Sequence, residues 1–219
     1  YSYDSLNRLI QVTDAEGHVT TYAYDNVGNL TSVTDANNHA ATSNTYDDND
    51  RLIQTSDALG HGRDITYTPG GRILSVTDAN GNTIDYAYET QTGRLSEIHY
   101  PGGRTETYTY DLAGNILSVS DNMTDITVSY TYDERGRVKT ETQLGVIITY
   151  DYDAGGNRIS MTVPDLGIFT YAYDQLNRLT SITNPYGETT EFEYYANDLR
   201  KTITYANNAT TEYSYDDAN

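Results

Sequence analysis

Polar and apolar positions along this chain alternate in short runs, and the runs come in two kinds. One kind alternates tyrosine with a small or polar residue, as in Thr20 to Tyr24. Its period of two, with Thr, Val, Ile and Tyr prominent, predicts a β-strand. The other reads Arg-Leu-x-x-Val-Thr, as in Arg8 to Thr13. Its spacing of three between Leu9 and Val12 breaks strict alternation and hints at a β-bulge or strong local curvature. Between the runs lie turn signals. The first follows a tyrosine and reads DSLN, DNVG, DDND, DLAG, DERG or DQLN. Four residues after that tyrosine stand Asn7, Gly28, Asp50, Gly71, Gly114, Gly136, Gly156, Asn177 and Asp198. Gly, Asn and Asp tolerate positive φ, so a type I turn followed by a bulge is expected at each. The second turn reads DAEG, DANN, DALG, DANG, YPGG, NPYG and YANN, closing on Gly17, Asn38, Gly60, Gly81, Gly103, Gly187 and Asn208.

The pattern repeats. The register tyrosines are Tyr3, Tyr24, Tyr46, Tyr67, Tyr88, Tyr110, Tyr132, Tyr152, Tyr173, Tyr194 and Tyr215, spaced by 20 to 22 residues. A fixed period of this length decides the fold class. The expected fold is all-β: a repeat protein, a meander of about ten β-hairpins of ~21 residues that forms a curved or spiralling β-sheet ribbon. No composition shift interrupts the repeats, so residues 1–219 read as one array of ten repeats with an eleventh begun. Both ends share the phase YSYD, which reads as a segment of a longer array.

Composition narrows the function classes. There is no cysteine, hence no disulfide framework and no thiolate metal site. The net charge is −19, so nucleic acid and anionic membrane surfaces are repelled. No run is long enough for a transmembrane helix, and membrane insertion is not expected. Tyrosine occurs 23 times against two phenylalanines. Rows of cross-strand aromatic pairs, each worth ~0.2–1 kcal/mol, can stand in for a missing aliphatic core. The same rows, notably Tyr86, Tyr88, Tyr108 and Tyr130, are a candidate glycan-binding surface.

Here the residues resemble a known family. YDxxGRLxxVTDxxGxxT is similar to the YD repeat of the RHS family, most closely in Tyr24–Asn38, Tyr110–Asp121 and Tyr173–Asn184. The signature residues are Tyr22, Tyr24, Asp25, Gly28, Tyr110, Asp111, Gly114, Tyr132, Asp133, Gly136, Tyr173, Asp174 and Asn177. That family includes bacterial RHS toxins, the B and C components of insecticidal toxin complexes, wall-associated proteins and teneurins. The resemblance implies a ribbon spiralling into a hollow shell or tube that encloses or displays a toxin or other cargo. It also implies a location outside the cell or at its surface, with a cytoplasmic stage before export. The family's core region with a DPxG-like motif and its variable toxic domain have no match in these residues. The partners so implied are the rest of a longer polypeptide, or further copies added through sheet edges.

Chemistry has little footing in the sequence. The turn aspartates, among them Asp4, Asp47 and Asp153, read as Asx residues that accept backbone N–H bonds. Arg8, Arg51, Arg72, Arg94, Arg137, Arg158, Arg178 and Arg200 recur just after the turns, within reach of aspartates in the same or the next hairpin. His18, His39 and His61 share one repeat position. In successive hairpins they would lie ~10 Å apart, too far to converge on one metal ion. No nucleophile elbow, P-loop, dinucleotide fingerprint or twelve-residue calcium loop occurs. No catalytic residue, cofactor or metal is therefore expected, and the competing functional class is an adhesion or carbohydrate-binding surface.

Overall fold

A computed structural model describes residues 1–216. Every regular element among them is a β-strand. The chain divides into two units, residues 1–107 and 108–219. In the first lie β1 (Ser2–Tyr3), β2 (Leu9–Thr13), β3 (Val19–Tyr24), β4 (Leu30–Thr34), β5 (Ala40–Tyr46), β6 (Leu52–Ser56), β7 (Gly62–Tyr67), β8 (Ile73–Asp78), β9 (Thr83–Tyr88), β10 (Leu95–His99) and the start of β11 (Thr105–Tyr110). Each pairs antiparallel with its neighbour in sequence. The second unit holds the end of β11, then β12 (Ile116–Asp121), β13 (Ile126–Tyr132), β14 (Val138–Gln143), β15 (Val146–Tyr152), β16 (Arg158–Val163), β17 (Gly167–Tyr173), β18 (Leu179–Thr183), β19 (Thr189–Tyr194), β20 (Arg200–Thr204) and β21 (Thr210–Glu212). From β12 onward it is the same antiparallel meander. The all-β hairpin repeat expected from the period is the observed fold.

The turns follow the sequence signals. In each first-type turn the fourth residue has positive φ, for example Asn7 at 61°, Gly28 at 110° and Asp198 at 67°. In most of these turns its N–H donates to the carbonyl of the first residue, as Asn7 does to Asp4 at 3.0 Å, while the Gly28 N–H donates to the Asp25 carboxylate at 2.8 Å. The first residue's N–H in turn donates across the loop, as Asp4 does to Arg8 at 2.9 Å. The Tyr88 repeat carries one extra residue, and there Gly93 takes the left-handed position. Three hairpin turns among the described residues stand outside both turn signals read from the sequence. The β14–β15 connection is the two-residue pair Leu144–Gly145, with φ of 51° and 80°, the signs a type I′ turn needs. Residues 122–125 join β12 to β13, and residues 164–166 join β16 to β17.

The Leu-x-x-Val spacing is a bulge. Tyr24 pairs with Leu30 while Ala23 pairs with Ser32, leaving Thr31 as the extra residue. The same shift recurs at Ile10, Ile53, Leu74, Ser96, Lys139, Ile159, Thr180 and Lys201. Past the bulge the alternation resumes and gives each unit two unlike faces. One carries pairs such as Tyr22 with Val33, Ile65 with Val76, Tyr171 with Ile182 and Phe192 with Ile203. The other carries Ser32 with Ser43, Ser75 with Asp85, Thr131 with Thr140 and Ser181 with Glu191. Only one side chain, Ile203 at 7 % exposure, is buried among the described residues.

A left-handed position filled by Gly, Asn or Asp in different repeats should accept any of them. A Cβ added at Gly136 meets its nearest atom, Asn115 Oδ1, at an ordinary 3.8 Å, so backbone strain is the whole cost there. Gly136→Asn is expected to shift stability by less than about 0.5 kcal/mol, and Gly136→Val to cost about 1–2 kcal/mol. Chemical denaturation of the two variants checks this.

Candidate functional site

A first-type turn that opens on aspartate is closed by that aspartate. Asp4 Oδ1 accepts hydrogen bonds from the backbone N–H groups of Leu6 and Arg8, both at 2.9 Å, and Oδ2 accepts from Arg8 Nε at 2.7 Å. Asp47 with Arg51, Asp133 with Arg137 and Asp174 with Arg178 repeat the arrangement. Elsewhere asparagine replaces arginine. Asn29 Nδ2 donates to Asp25, Asn115 to Asp111 and Asn157 to Asp153, at 2.8 to 3.0 Å. Arg and Asn interchange because each places an N–H four residues after the carboxylate. The histidines play the same part in the second-type turns. His18 Nδ1 lies 3.0 Å from Asp14, and the ring nitrogens of His39 and His61 lie 3.7 and 3.4 Å from Asp35 and Asp57. Among the described residues no three His, Cys, Asp or Glu side chains converge as a metal-ligand group.

These bonds hold the carboxyls below their ordinary range. For Asp4, Asp133 and Asp174 the largest cause is the backbone N–H of the residue four positions on. For Asp47, Asp111 and Asp153 it is that residue's side-chain N–H. At Asp25 partial burial pushes the other way, and the bonds from Asn29, Gly28 and Val27 outweigh it.

A second set of contacts ties hairpin to hairpin. Tyr24 donates its hydroxyl at 2.9 Å to the carbonyl of Leu9, fifteen residues earlier and next to the bulge at Ile10. Tyr46 reaches Leu30, Tyr67 reaches Leu52 and Tyr88 reaches Ile73 in the same way. In the second unit Tyr132 reaches Ile116, Tyr152 reaches Val138, Tyr173 reaches Arg158 and Tyr194 reaches Leu179. The turn arginine completes the latch. The Arg8 guanidinium lies 4.8 Å from the Tyr24 ring centroid, and its Nη1 donates to the Asp25 carbonyl at 3.1 Å. Arg51, Arg137 and Arg178 stack likewise on Tyr67, Tyr152 and Tyr194.

The arginines are not one class. Arg158 and Arg200 stand one position later than Arg8 in their repeats, and they lie over Tyr171 and Phe192. Arg72 closes a turn that opens on Thr68, whose Oγ1 accepts the Arg72 N–H, and it stacks over Tyr88. Sequence spacing pointed to the turn aspartates but not to the carbonyl that each tyrosine seeks. The signature residues Tyr22, Tyr110, Gly114, Gly136 and Asn177 lie in these strands and turns; Gly114 also donates its N–H to Asp111 at 2.8 Å. The candidate ligand tyrosines Tyr86, Tyr88, Tyr108 and Tyr130 are half-buried, and the hydroxyl of Tyr88 is already committed to Ile73.

The repeat geometry has counterparts. The RHS Repeat family matches residues 3–40, 46–83, 67–105, 91–122 and 110–145. The chain belongs to the RHS repeat family. Its fold resembles the crystal structure of TcdB2-TccC3-TEV, with a TM-score of 0.64 and 18% identity over 96% of this chain. It resembles that of TcdB2-TccC3-Cdc42 at 0.63 and 18% over 94%. It also resembles a Tc holotoxin pore of Photorhabdus luminescens at 0.63 and 18% over 95%. The chain spans about 15% of the length of each of those chains. No curated protein sequence matches it. No helix among the described residues is long and apolar enough to cross a membrane.

Two outcomes follow for this RHS array. Tyr152→Phe keeps the ring beside Arg137, 4.4 Å from its centroid, and removes only the bond to Val138. It should cost about 1 kcal/mol in denaturant titration. The pH dependence has a definite sign. The turn carboxyls are depressed in the folded state, so their contribution is present above the unfolded value, about 3.9, and is lost as pH falls through the folded values. Burial raises the phenols of Tyr88, Tyr132 and Tyr173 above 10.0, so their contribution is lost as pH rises past that value. A melting temperature flat near neutrality and falling below about pH 4 and above about pH 10 is expected by circular dichroism.

Proposed function

We propose that this array is a wall segment of an RHS shell, a non-catalytic scaffold that encloses or displays another part of its own polypeptide. The observation that carries this reading is the latch. Every contact the repeats keep in common, from the turn carboxylate to the tyrosine hydroxyl, is spent on joining one hairpin to itself or to the next. What remains on offer is a wall with two faces, one of tyrosine and aliphatic side chains and one of Ser, Thr and carboxylates. Membership of the RHS family and the fold shared with Tc structures support the reading. On it, residues 1–219 act as one array, the partner is the remaining length of a longer chain, and the work is done outside the cell or at its surface after export.

Protection measures this directly. In the polypeptide that carries the array, limited proteolysis should leave the enclosed segment intact until the array is unfolded. Cleavage of that segment at equal rates before and after selective acid unfolding of the array would falsify the proposal.

A further inference from the structure

In the second unit, three neighbouring hairpins break the repeat's turn chemistry along one edge. The connections 122–125, 144–145 and 164–166 join β12 to β13, β14 to β15 and β16 to β17. The pairings β13–β14 and β15–β16 set them side by side. Successive tips are therefore two strand spacings, about 10 Å, apart. In other repeats this edge carries polar residues such as Glu16, Asn37 and Asn80. Here the tips carry Met123, Leu144 and Leu166, which are 67%, 74% and 44% exposed. Ile147 and Ile168 begin the return strands on the Ser/Thr face, opposite Thr142 and Thr162, and both are half-exposed.

The hairpins do not need these side chains to form. Leu144 occupies the first position of its two-residue turn at a φ of 51°. A leucine is strained there, whereas Asn adopts the left-handed region readily and Asn-Gly is the preferred pair for such a turn. The neighbouring tips fill their own left-handed positions with Asp125 and Asp165. An exposed leucine kept in an unfavourable backbone region indicates a constraint other than stability.

Charge and area define the partner. Residues 121–126, 143–147 and 163–168 contain no Lys or Arg. Asp125 and Asp165 are exposed and enter no ion pair among the described residues. A second copy would set the same carboxylates against these. Five part-exposed side chains also present on the order of a few hundred Å², short of the roughly 800 Å² per partner of a standard interface. A peptide segment with apolar side chains flanked by Lys or Arg meets both conditions. Spacing selects its conformation. Residues i and i+7 of an α-helix lie on one face about 10.5 Å apart, which matches the step from tip to tip. A helix crossing all three tips spans about 20 Å, or roughly 14 residues.

We propose that these three turn tips form a docking edge for a basic amphipathic α-helix, whose apolar stripe packs among Met123, Leu144 and Leu166 and whose basic flanks meet Asp125 and Asp165. The edge acts whether or not the array encloses cargo. The whole chain would be titrated, by fluorescence anisotropy, with a labelled Leu/Lys peptide of about 18 residues patterned at the helical period. The comparisons are the same composition patterned at period two, and a helical Leu/Glu peptide. Saturable binding of the helical Leu/Lys peptide is expected, about tenfold tighter than that of the period-two peptide, with no binding of the Leu/Glu peptide. Leu144→Asn should raise the denaturation midpoint, because it relieves the turn, and yet weaken the helical peptide about tenfold. Met123→Gln should weaken it too. Leu59→Asn, at an apolar tip in the first unit, should leave it unchanged. Absence of binding at about 1 mM peptide overturns the proposal. So does equal affinity for the two Leu/Lys patterns, which would mean attraction to net charge alone, or binding that survives both Leu144→Asn and Met123→Gln. A midpoint lowered by Leu144→Asn would show that the leucine serves the fold, and would also overturn it. Self-association of the chain that Leu144→Asn abolishes would assign the edge to a second copy instead.

Discussion

The hydrogen bond from a register tyrosine to the carbonyl beside the previous hairpin's bulge is the contact on which the array depends. A β-sheet meander with a single buried side chain among its described residues has little core to cooperate through. Its turns are specified within five residues, so each hairpin closes by itself. Backbone pairing joins neighbours but is indifferent to register unless something pins it. The bulge and the phenol do the pinning together. An extra residue such as Ile10 or Thr31 offsets the ladder, and the ring from the next repeat comes to lie over the preceding turn with its hydroxyl on the adjacent carbonyl. A one-residue slip would move the phenol to the other face and lose the bond. Stability then accumulates from repeat to repeat through nearest-neighbour contacts, as in other quasi-one-dimensional proteins.

This also explains why the acid content of the chain is tolerable. A charge of −19 on a thin sheet is a source of self-repulsion. Many of the carboxylates belong to turns, where two backbone N–H groups and an Arg, Asn or His side chain face each one. The local dipoles offset the charge where it sits, without a long-range ion-pair network. The arginines that serve a turn serve the next repeat at the same time, since one guanidinium meets a carboxylate, a carbonyl and a ring.

Most of the fold was legible because its instructions are local. Period, turn chemistry and left-handed positions are all written within a few residues, and Asn7, Gly28, Asp50 and Asn38 adopt the positive φ their identities imply. The bulge was legible only as a broken alternation between Leu9 and Val12. The latch was not legible, because a repeating tyrosine does not reveal which carbonyl fifteen residues away it will meet. Grouping Arg158 with Arg8 by charge hid a one-residue offset that sends the two guanidinium groups to different rings. A better signal lay in the interchange of Arg, Asn and His four residues after a turn aspartate. Those three share a side-chain N–H and little else. The turns at Leu144–Gly145 and residues 164–166 escaped notice because they lack the leading aspartate.

Repetition itself becomes informative at the places where it fails. Where a repeat position is filled by residues of one chemistry, the geometry of the wall accounts for it. Tyr24, Tyr67 and Tyr194 each end on a carbonyl, and nothing about them calls for a ligand. A side chain that departs from the pattern without helping the turn or the latch answers to some other constraint. Tyr186 is such a residue: its turn closes through Asn184, its neighbour Pro185 abuts Gly167, and its ring stands in solvent. Among the tyrosines that first suggested binding, Tyr88 is one the wall explains, since its hydroxyl ends on the Ile73 carbonyl.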